Sequence, residues 1–314
     1  MSDLRNASVL VTGASGFLGS RMVRYLAGKT RRLVAVARGS TTALHPHLRE
    51  VEVVLADVSV ESQMEQAVAG IDVVIHLAGH SGAASSLRDP FYDLKENVGG
   101  VITLLEAVRK HDHPVRVVFP GSRLEYGRPK ALPAAENDQL RPVSPYGVNK
   151  LTCEMYLDLY SRLYGVSYAV ARITNPYGPS VGGPAREYNV FNRLIATAAA
   201  GDAITIYGKG QQLRDYVYVD DVIEALALLA AGDDNTVANV GAGVGISMAA
   251  AAETIVRIAG RGSIEYIPWP QAARQVETGD FVADITRMRA LGWSPITTLE
   301  EGIRRTLDSI ETPT

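Results

Sequence analysis

Short runs of apolar, mostly β-branched residues alternate along the first half of the chain with longer stretches in which apolar positions return every three or four residues. The runs without a polar face read as strands covered on both sides, and the three-to-four spacing reads as helices with one face in the core. The strands are expected at Ser8 to Thr12, Leu33 to Ala37, Val51 to Ala56, Val73 to Leu77 and Val115 to Phe119. Helical periods lie between them, at Met22, Val23 and Leu26, at Ser62 to Val68 with Ser59 or Glu61 as cap, and at Asn97 to Arg109. This alternation predicts an α/β fold built on a doubly wound parallel sheet. On such a sheet ligands lie beyond the carboxyl ends of the strands. Farther along, the proline-rich, polar stretch Arg128 to Ser144 reads as a loop, and a helix opens at Ser144 and Pro145. Its spacing places Tyr146, Lys150, Cys153 and Tyr156 or Leu157 on one face. Val222 to Ala231 and Met248 to Ala259 carry apolar helical stripes that belong to the core.

Three glycines interrupt the pattern after the first strand. Gly13 suits the backbone angles of a sharp turn, Gly16 leaves room where a pyrophosphate approaches, and Gly19 lets the following helix pack close. The free N–H groups and dipole of that helix favour a phosphate. A tight turn alone would also use these glycines. The second strand ends at Arg38, about twenty positions past the loop, where NAD-binding folds carry an acid on the ribose 2′-hydroxyl. A guanidinium pairs with a 2′-phosphate instead, so Arg38 favours NADP, with NAD still possible, and Ser40 and Thr41 offer further donors. Asp57 and Val58 close the third strand where an adenine would sit. His76 reads as a core histidine and His80 as a loop residue.

The chain has 314 residues, 46% of them hydrophobic, enough for one large or two interdependent domains. Its 31 basic and 34 acidic residues are mixed along the sequence, which leaves no basic stripe for nucleic acid. A single cysteine, Cys153, excludes an intramolecular disulfide and a cysteine metal cluster, and its expected role is packing. No metal site is expected. The amino-terminal segment lacks a signal-peptide core and no apolar run is long enough to span a membrane, so a cytoplasmic protein is expected.

VTGASGFLG, HLAG, ENVGGVITLLEA, GSRLEYG, SPYGVNK, RITNPYGP, YGKGQQLRDYVYVDDV and ADITRMRALGW follow one another in an order and spacing that resemble the extended short-chain dehydrogenase/reductases, and within them the nucleotide-sugar epimerases and dehydratases. The resemblance covers nearly the whole chain. It implies a Rossmann-type dinucleotide-binding domain over residues 1–171, with 215–235 returning to it, and a smaller C-terminal α/β lobe over 172–314 that mainly binds substrate. Tyr146 and Lys150 then form the YxxxK pair: a neighbouring ammonium and the nicotinamide favour phenolate, and Tyr146 takes a proton from a sugar hydroxyl as hydride leaves the same carbon. Ser122 matches the family's Ser or Thr on the reacting oxygen. Ser15, Phe17, Leu18, Leu77, Ala78, Gly79, Asn97 and Tyr177 fall at cofactor-binding positions.

On the substrate side the resemblance places Asn175 against the sugar nucleotide, Asn189 and Val190 near its phosphates, Tyr207 on the base, and Arg214 and Arg274 on the diphosphate. Family 4,6-dehydratases carry Asp and Glu directly after Ser122, where this chain has Arg123 and Leu124. Neither residue can act as that acid/base pair, and Glu125 is one place displaced, pointing away from its neighbours if the segment is extended. The implied activity is epimerisation of a nucleotide-diphosphate sugar through a transient keto-sugar at C4. The alternative is an NADPH-dependent reductase of a nucleotide 4-keto sugar, and a non-catalytic dinucleotide sensor would lack this Tyr146 and Lys150 pair. Family members commonly pair as homodimers through two helices per subunit, here Asn97 to Lys110 and Tyr146 to Tyr164.

Overall fold

The structure, a computed structural model, describes residues 4–39, 41, 44, 49–111, 113–179, 189–232 and 234–311. The first half alternates as read: β1 (Ser8–Thr12), α1 (Phe17–Leu26), β2 (Arg32–Ala37), β3 (Glu52–Leu55), α2 (Glu61–Ala67), β4 (Val73–His76), the short α3 (Ala83–Arg88) and α4 (Pro90–Leu94), then α5 (Gly100–Arg109), β5 (Arg116–Ser122), α6 (Pro145–Tyr164) and β6 (Ser167–Ile173). The second half runs β7 (Asn175–Tyr177), α7 (Val190–Ala199), β8 (Ala203–Tyr207), β9 (Leu213–Tyr218), α8 (Val219–Ala230), β10 (Thr236–Val240), β11 (Gly245–Ser247), α9 (Met248–Ala259), β12 (Ser263–Ile267), α10 (Gln271–Gln275), α11 (Thr286–Ala290) and α12 (Leu299–Glu311).

Seven strands form one parallel sheet in the order β10, β6, β5, β4, β1, β2, β3. Every residue of β1 is buried, with α1 and α8 on one face and α2, α5 and α6 on the other, which is why that strand has no polar side. The order reverses between β1 and β4, whose following loops diverge and open a crevice at the sheet's carboxyl edge. The fold is therefore a Rossmann-type doubly wound sheet. Two small sheets, β11-β9-β7 and β12-β8, cap that edge. Among the described residues no helix is long and apolar enough to cross a membrane.

Several boundaries differ from the sequence reading for identifiable reasons. β5 continues through Pro120 and Gly121 to Ser122, because Phe119 to Ser122 pair with Val170 to Ile173 of β6. The expected helix from Asn97 is a wide π turn at Lys95–Gly99 followed by α5. α2 starts after Val60 without a side-chain cap, since the Ser59 amide and hydroxyl both bond Asp57 Oδ1. The return to the large sheet also runs past residue 235: β10 pairs with β6 from Thr236 to Val240.

Candidate active site

The crevice is a cleft of about 1080 Å³ between the sheet's carboxyl edge and the capping lobe. Gly13, with φ +62°, could carry no side chain, since a Cβ there would lie 2.6 Å from the Ala78 nitrogen on the loop after β4. A Cβ on Gly19 would overlap the Gly13 carbonyl, so helix and loop touch backbone to backbone. Gly16 is the N-cap of α1 and no side chain caps that end. The first N–H groups of α1 therefore remain for a ligand, and their dipole favours an anion. Ser15, Gly16, Phe17 and Leu18 line this end of the cleft, and Leu77, Ala78, Gly79 and Val58 line its floor and far side.

Arg38 and Asp57 also line the cleft, and they meet each other. The Arg38 guanidinium donates to Glu96 Oε2 at 2.6 Å and stands 3.8 Å from Asp57 Oδ2. Hydrogen bonding to Tyr92 and to Glu96 holds Arg38 above its ordinary pKa. Nothing in the sequence paired position 38 with 92 or 96, because only the turn of α4 and the π segment brings those residues to the end of β2. Ser40 lies outside the described residues. Asn97, in the π turn, stands behind the cleft wall: its Oδ1 is 2.6 Å from where a Gly79 Cβ would sit, and its buried Nδ2 has no hydrogen-bond partner among the described residues. A π turn of this kind often marks a functional site.

Ser144 caps α6 through Gly147 N–H at 3.2 Å, and Ser86 Oγ accepts the Tyr146 N–H at 3.1 Å. These bonds fix the first turn and place Tyr146 and Lys150 on the cleft wall. Ser81 and Ser122 line the cleft with them, and their hydroxyls act to lower the pKa of the Tyr146 phenol. Ser81 had no signal in the sequence beyond following the HLAG stretch. Lys150 Nζ donates to the Pro120 carbonyl at 2.9 Å and lies 5.8 Å from the Tyr146 ring centre. The expectation that Lys150 lowers the phenol's pKa is not met by the protein's own groups. Burial is the largest influence and raises Tyr146, the Ser81 hydroxyl opposes it, and Glu125 and Asp93 raise it further. Burial also lowers Lys150 itself.

Ser122 ends β5 and caps a turn of 3₁₀ helix over Arg123–Glu125: its Oγ accepts the Leu124 N–H at 3.2 Å and its own N–H donates to Glu125 Oε1 at 2.6 Å. The segment is thus not extended, yet Glu125 still turns from the cleft into the core. There Arg172 reaches it at 3.3 Å, and burial together with Glu154 raises its pKa well above the usual carboxylate range. Arg123 and Leu124 face the cleft. Behind them, His76 bonds Thr12 through Nδ1 at 3.0 Å while its Nε2 has no partner, and burial lowers its pKa to about 3. Cys153 is fully buried and burial pushes it up to about 12, in keeping with packing. His80 reaches the cleft wall, held by Asp93 at 3.0 Å.

Asn175, Asn189, Val190, Tyr207 and Arg214 also line the cleft. Asn175 Oδ1 accepts from Arg123 Nε at 3.0 Å, and Asn189 caps α7 through the Asn192 N–H. Tyr207 pairs with Trp269, ring centres 5.4 Å apart, a partner that sequence separation concealed. Arg214 Nη2 meets Glu277 at 2.5 Å. Two expected residues are elsewhere. Arg274 is exposed on α10, which turns Ala273 and the following Val276 and Glu277 to the cleft instead. Tyr177 is buried in the capping lobe among Phe191 and Tyr218, its hydroxyl bonded to the Leu299 carbonyl at 3.3 Å, so it does not line the cleft.

A model of the NAD dependent epimerase/dehydratase family matches residues 9–241. The UDP-glucose 4-epimerase of Mycolicibacterium smegmatis is 33% identical over 309 residues, 95% of this chain and 97% of that one. The crystal structure of Thermotoga maritima UDP-glucose 4-epimerase with UDP-glucose matches with a TM-score of 0.89 at 31% identity, over 97% of this chain and 98% of the other. The Thermus thermophilus UDP-glucose 4-epimerase in complex with NAD matches with a TM-score of 0.88 at 30% identity, over 98% and 100%. With the glycine loop, the Tyr146 and Lys150 pair and the sheet order all in place, the chain belongs to the NAD-dependent epimerase/dehydratase family of extended short-chain dehydrogenase/reductases.

Proposed function

We propose that this protein is a nucleotide-sugar epimerase that inverts one hydroxyl-bearing carbon, C4 of the pyranose, through a transient keto-sugar. The observation that carries the reading is that Tyr146, Ser122 and Lys150 line the same cleft as Asn175, Tyr207 and Arg214. The cleft thus brings groups able to move a proton together with groups suited to a nucleotide diphosphate. Relatives named UDP-glucose 4-epimerase support the same reading.

The residues present fit a nicotinamide dinucleotide: the glycine loop and the uncapped start of α1 line the cleft with N–H groups suited to its pyrophosphate. Bound there, it supplies a reversible hydride acceptor. Tyr146 Oη receives the hydroxyl proton and later returns it. Ser122 Oγ accepts the Leu124 N–H and in this reading donates its own proton to the reacting oxygen. Lys150, fixed on the Pro120 carbonyl, contributes positive charge close behind the phenol. Dehydration would need an acid and a base beside the sugar's C5–C6 bond. The turn offers Arg123 and Leu124 to the cleft, and Glu125 faces away.

The resident carrier in this reading is NAD. A 2′-phosphate beside Arg38 would also meet Glu96 and Asp57, so the arginine's charge is already answered. This removes the feature that favoured an NADPH-dependent reductase. We also infer a homodimer, built on a face where Phe91 and Leu94 of α4 and Val148 and Met155 of α6 are exposed.

The reaction is tested with a sugar nucleotide carrying deuterium at C4. Epimerisation predicts that the label stays at C4 in the product and that nicotinamide absorbance shows no net change. Stoichiometric consumption of NADPH would overturn the reading in favour of reduction.

A further inference from the structure

Arg123 follows Ser122 directly, on the turn that presents the serine to Tyr146, so its side chain enters the cleft at the reacting end. Two of its N–H groups are used, Nε on Asn175 Oδ1 at 3.0 Å and Nη1 on Thr278 Oγ1 at 2.9 Å. Both acceptors are neutral. A guanidinium has five donors and stays protonated, so three N–H groups remain without an acceptor among the described residues. The carboxylates nearby are committed elsewhere: Glu277 Oε1 takes Arg214 and the Gly279 N–H, and Asp215 takes the amides of Ala242, Gly243 and Ala283. Burial and the like charge of Arg214 pull Arg123 down to about 9, with Glu277 and Asp215 opposing them from a distance.

We propose that Arg123 receives a carboxylate carried by the sugar itself, so that the substrate is a nucleotide-diphosphate hexuronic acid rather than a neutral hexose. The inference rests on the nucleotide-sugar reading above and specifies its substrate. Asn175 and Thr278 fix the guanidinium plane and leave its Nη2 edge free for a forked pair with a planar carboxylate. A diphosphate is the other anion of such a substrate, and Arg214 also lines the cleft, with its Nη2 on Glu277. Arg123 directly follows Ser122, which lines the cleft together with Tyr146 and Lys150, where the proposed chemistry takes place.

The test uses holoenzyme, as wild type and as the R123Q and R123K variants, with UDP-glucuronate, UDP-galacturonate, UDP-glucose and UDP alone, read by kcat/KM and by calorimetric Kd. Wild type should favour the uronates over UDP-glucose by at least about tenfold, a margin of the size expected for one charge-assisted fork. R123Q should remove that preference and raise the uronate Kd by about tenfold or more, with R123K regaining only part, since a lysine has no fork. UDP alone should bind wild type and R123Q within about threefold of each other. Wild-type preference for UDP-glucose overturns the proposal. So does an R123Q loss that is equal for UDP and for the uronates, which would place the guanidinium on the diphosphate. If neither sugar class is epimerised while UDP-glucuronate still binds more tightly through Arg123, the proposed reaction falls and the assignment of Arg123 stands.

Discussion

Glu96 changes what Arg38 means. At the end of β2 an arginine alone argues for a 2′-phosphate, but this one is spent on a carboxylate 2.6 Å away. Removing that carboxylate should release it: Glu96→Gln is expected to shift the ratio of NADP to NAD affinity toward NADP by about tenfold at low salt, less at high salt because Arg38 is exposed. Titration of the apo protein with both cofactors checks this, and an unchanged ratio would show that Arg38 takes no part in cofactor choice. At this scale the sequence revealed the residues whose chemistry is carried by local spacing. Tyr146 and Lys150 are one helical turn apart, so spacing alone puts them on one face, whereas Ser122 enters only through the resemblance, since the strand as read from sequence ends at Phe119. Tyr177 and Arg274 were not legible, because an aromatic cluster claims the first and the short α10 exposes the second. Ser81, Glu96 and Trp269 join the site only through contacts between distant elements.

Among elements, β1 and β4 form the centre of the sheet, and their pairing carries a buried hydrogen bond between Thr12 and His76. His76 titrates near 6.5 when unfolded and near 3 when folded. Its neutral form therefore stabilises the fold above about pH 6.5, and that contribution is lost as pH falls toward 3, at about 1.4 kcal/mol per pH unit. Thermal unfolding of wild type and His76→Gln across this range should show the wild type losing stability more steeply, with a difference of about 2–3 kcal/mol accumulated by about pH 4.5. Parallel curves would mean that His76 is not held neutral. Strands and helices were legible here as alternation and period, and their ends were not. β5 reaches Ser122 only because β6 pairs with it, and the break of the Asn97 helix into a π turn has no counterpart in apolar spacing.

At the scale of the molecule, the sheet and the capping sheets border the cleft in which the proposed reaction takes place. The order of strands and the family's motifs made that arrangement legible from sequence. The return of the chain was placed too short, since only the pairing of β10 with β6 shows that Thr236 to Val240 join the large sheet. The exposed apolar face of α4 and α6, with Phe91 82% and Met155 64% exposed, predicts a dimer in solution. Light scattering should give twice the chain mass for wild type and the single mass for a Phe91→Asp, Met155→Asp variant, and a monomeric wild type would refute the interface.

The central claim is that the Tyr146 hydroxyl moves the proton in a reversible exchange of hydride with a nucleotide sugar. The most direct measurement is the rate at which epimeric UDP-sugar pairs, neutral and uronic, interconvert with wild type and with Tyr146→Phe, alongside calorimetric binding of UDP to both. The account predicts that wild type reaches the same mixture from either epimer, and that Tyr146→Phe binds UDP comparably but turns over about 10²–10⁴ times more slowly. A Tyr146→Phe enzyme that binds UDP and epimerises at the wild-type rate would contradict it.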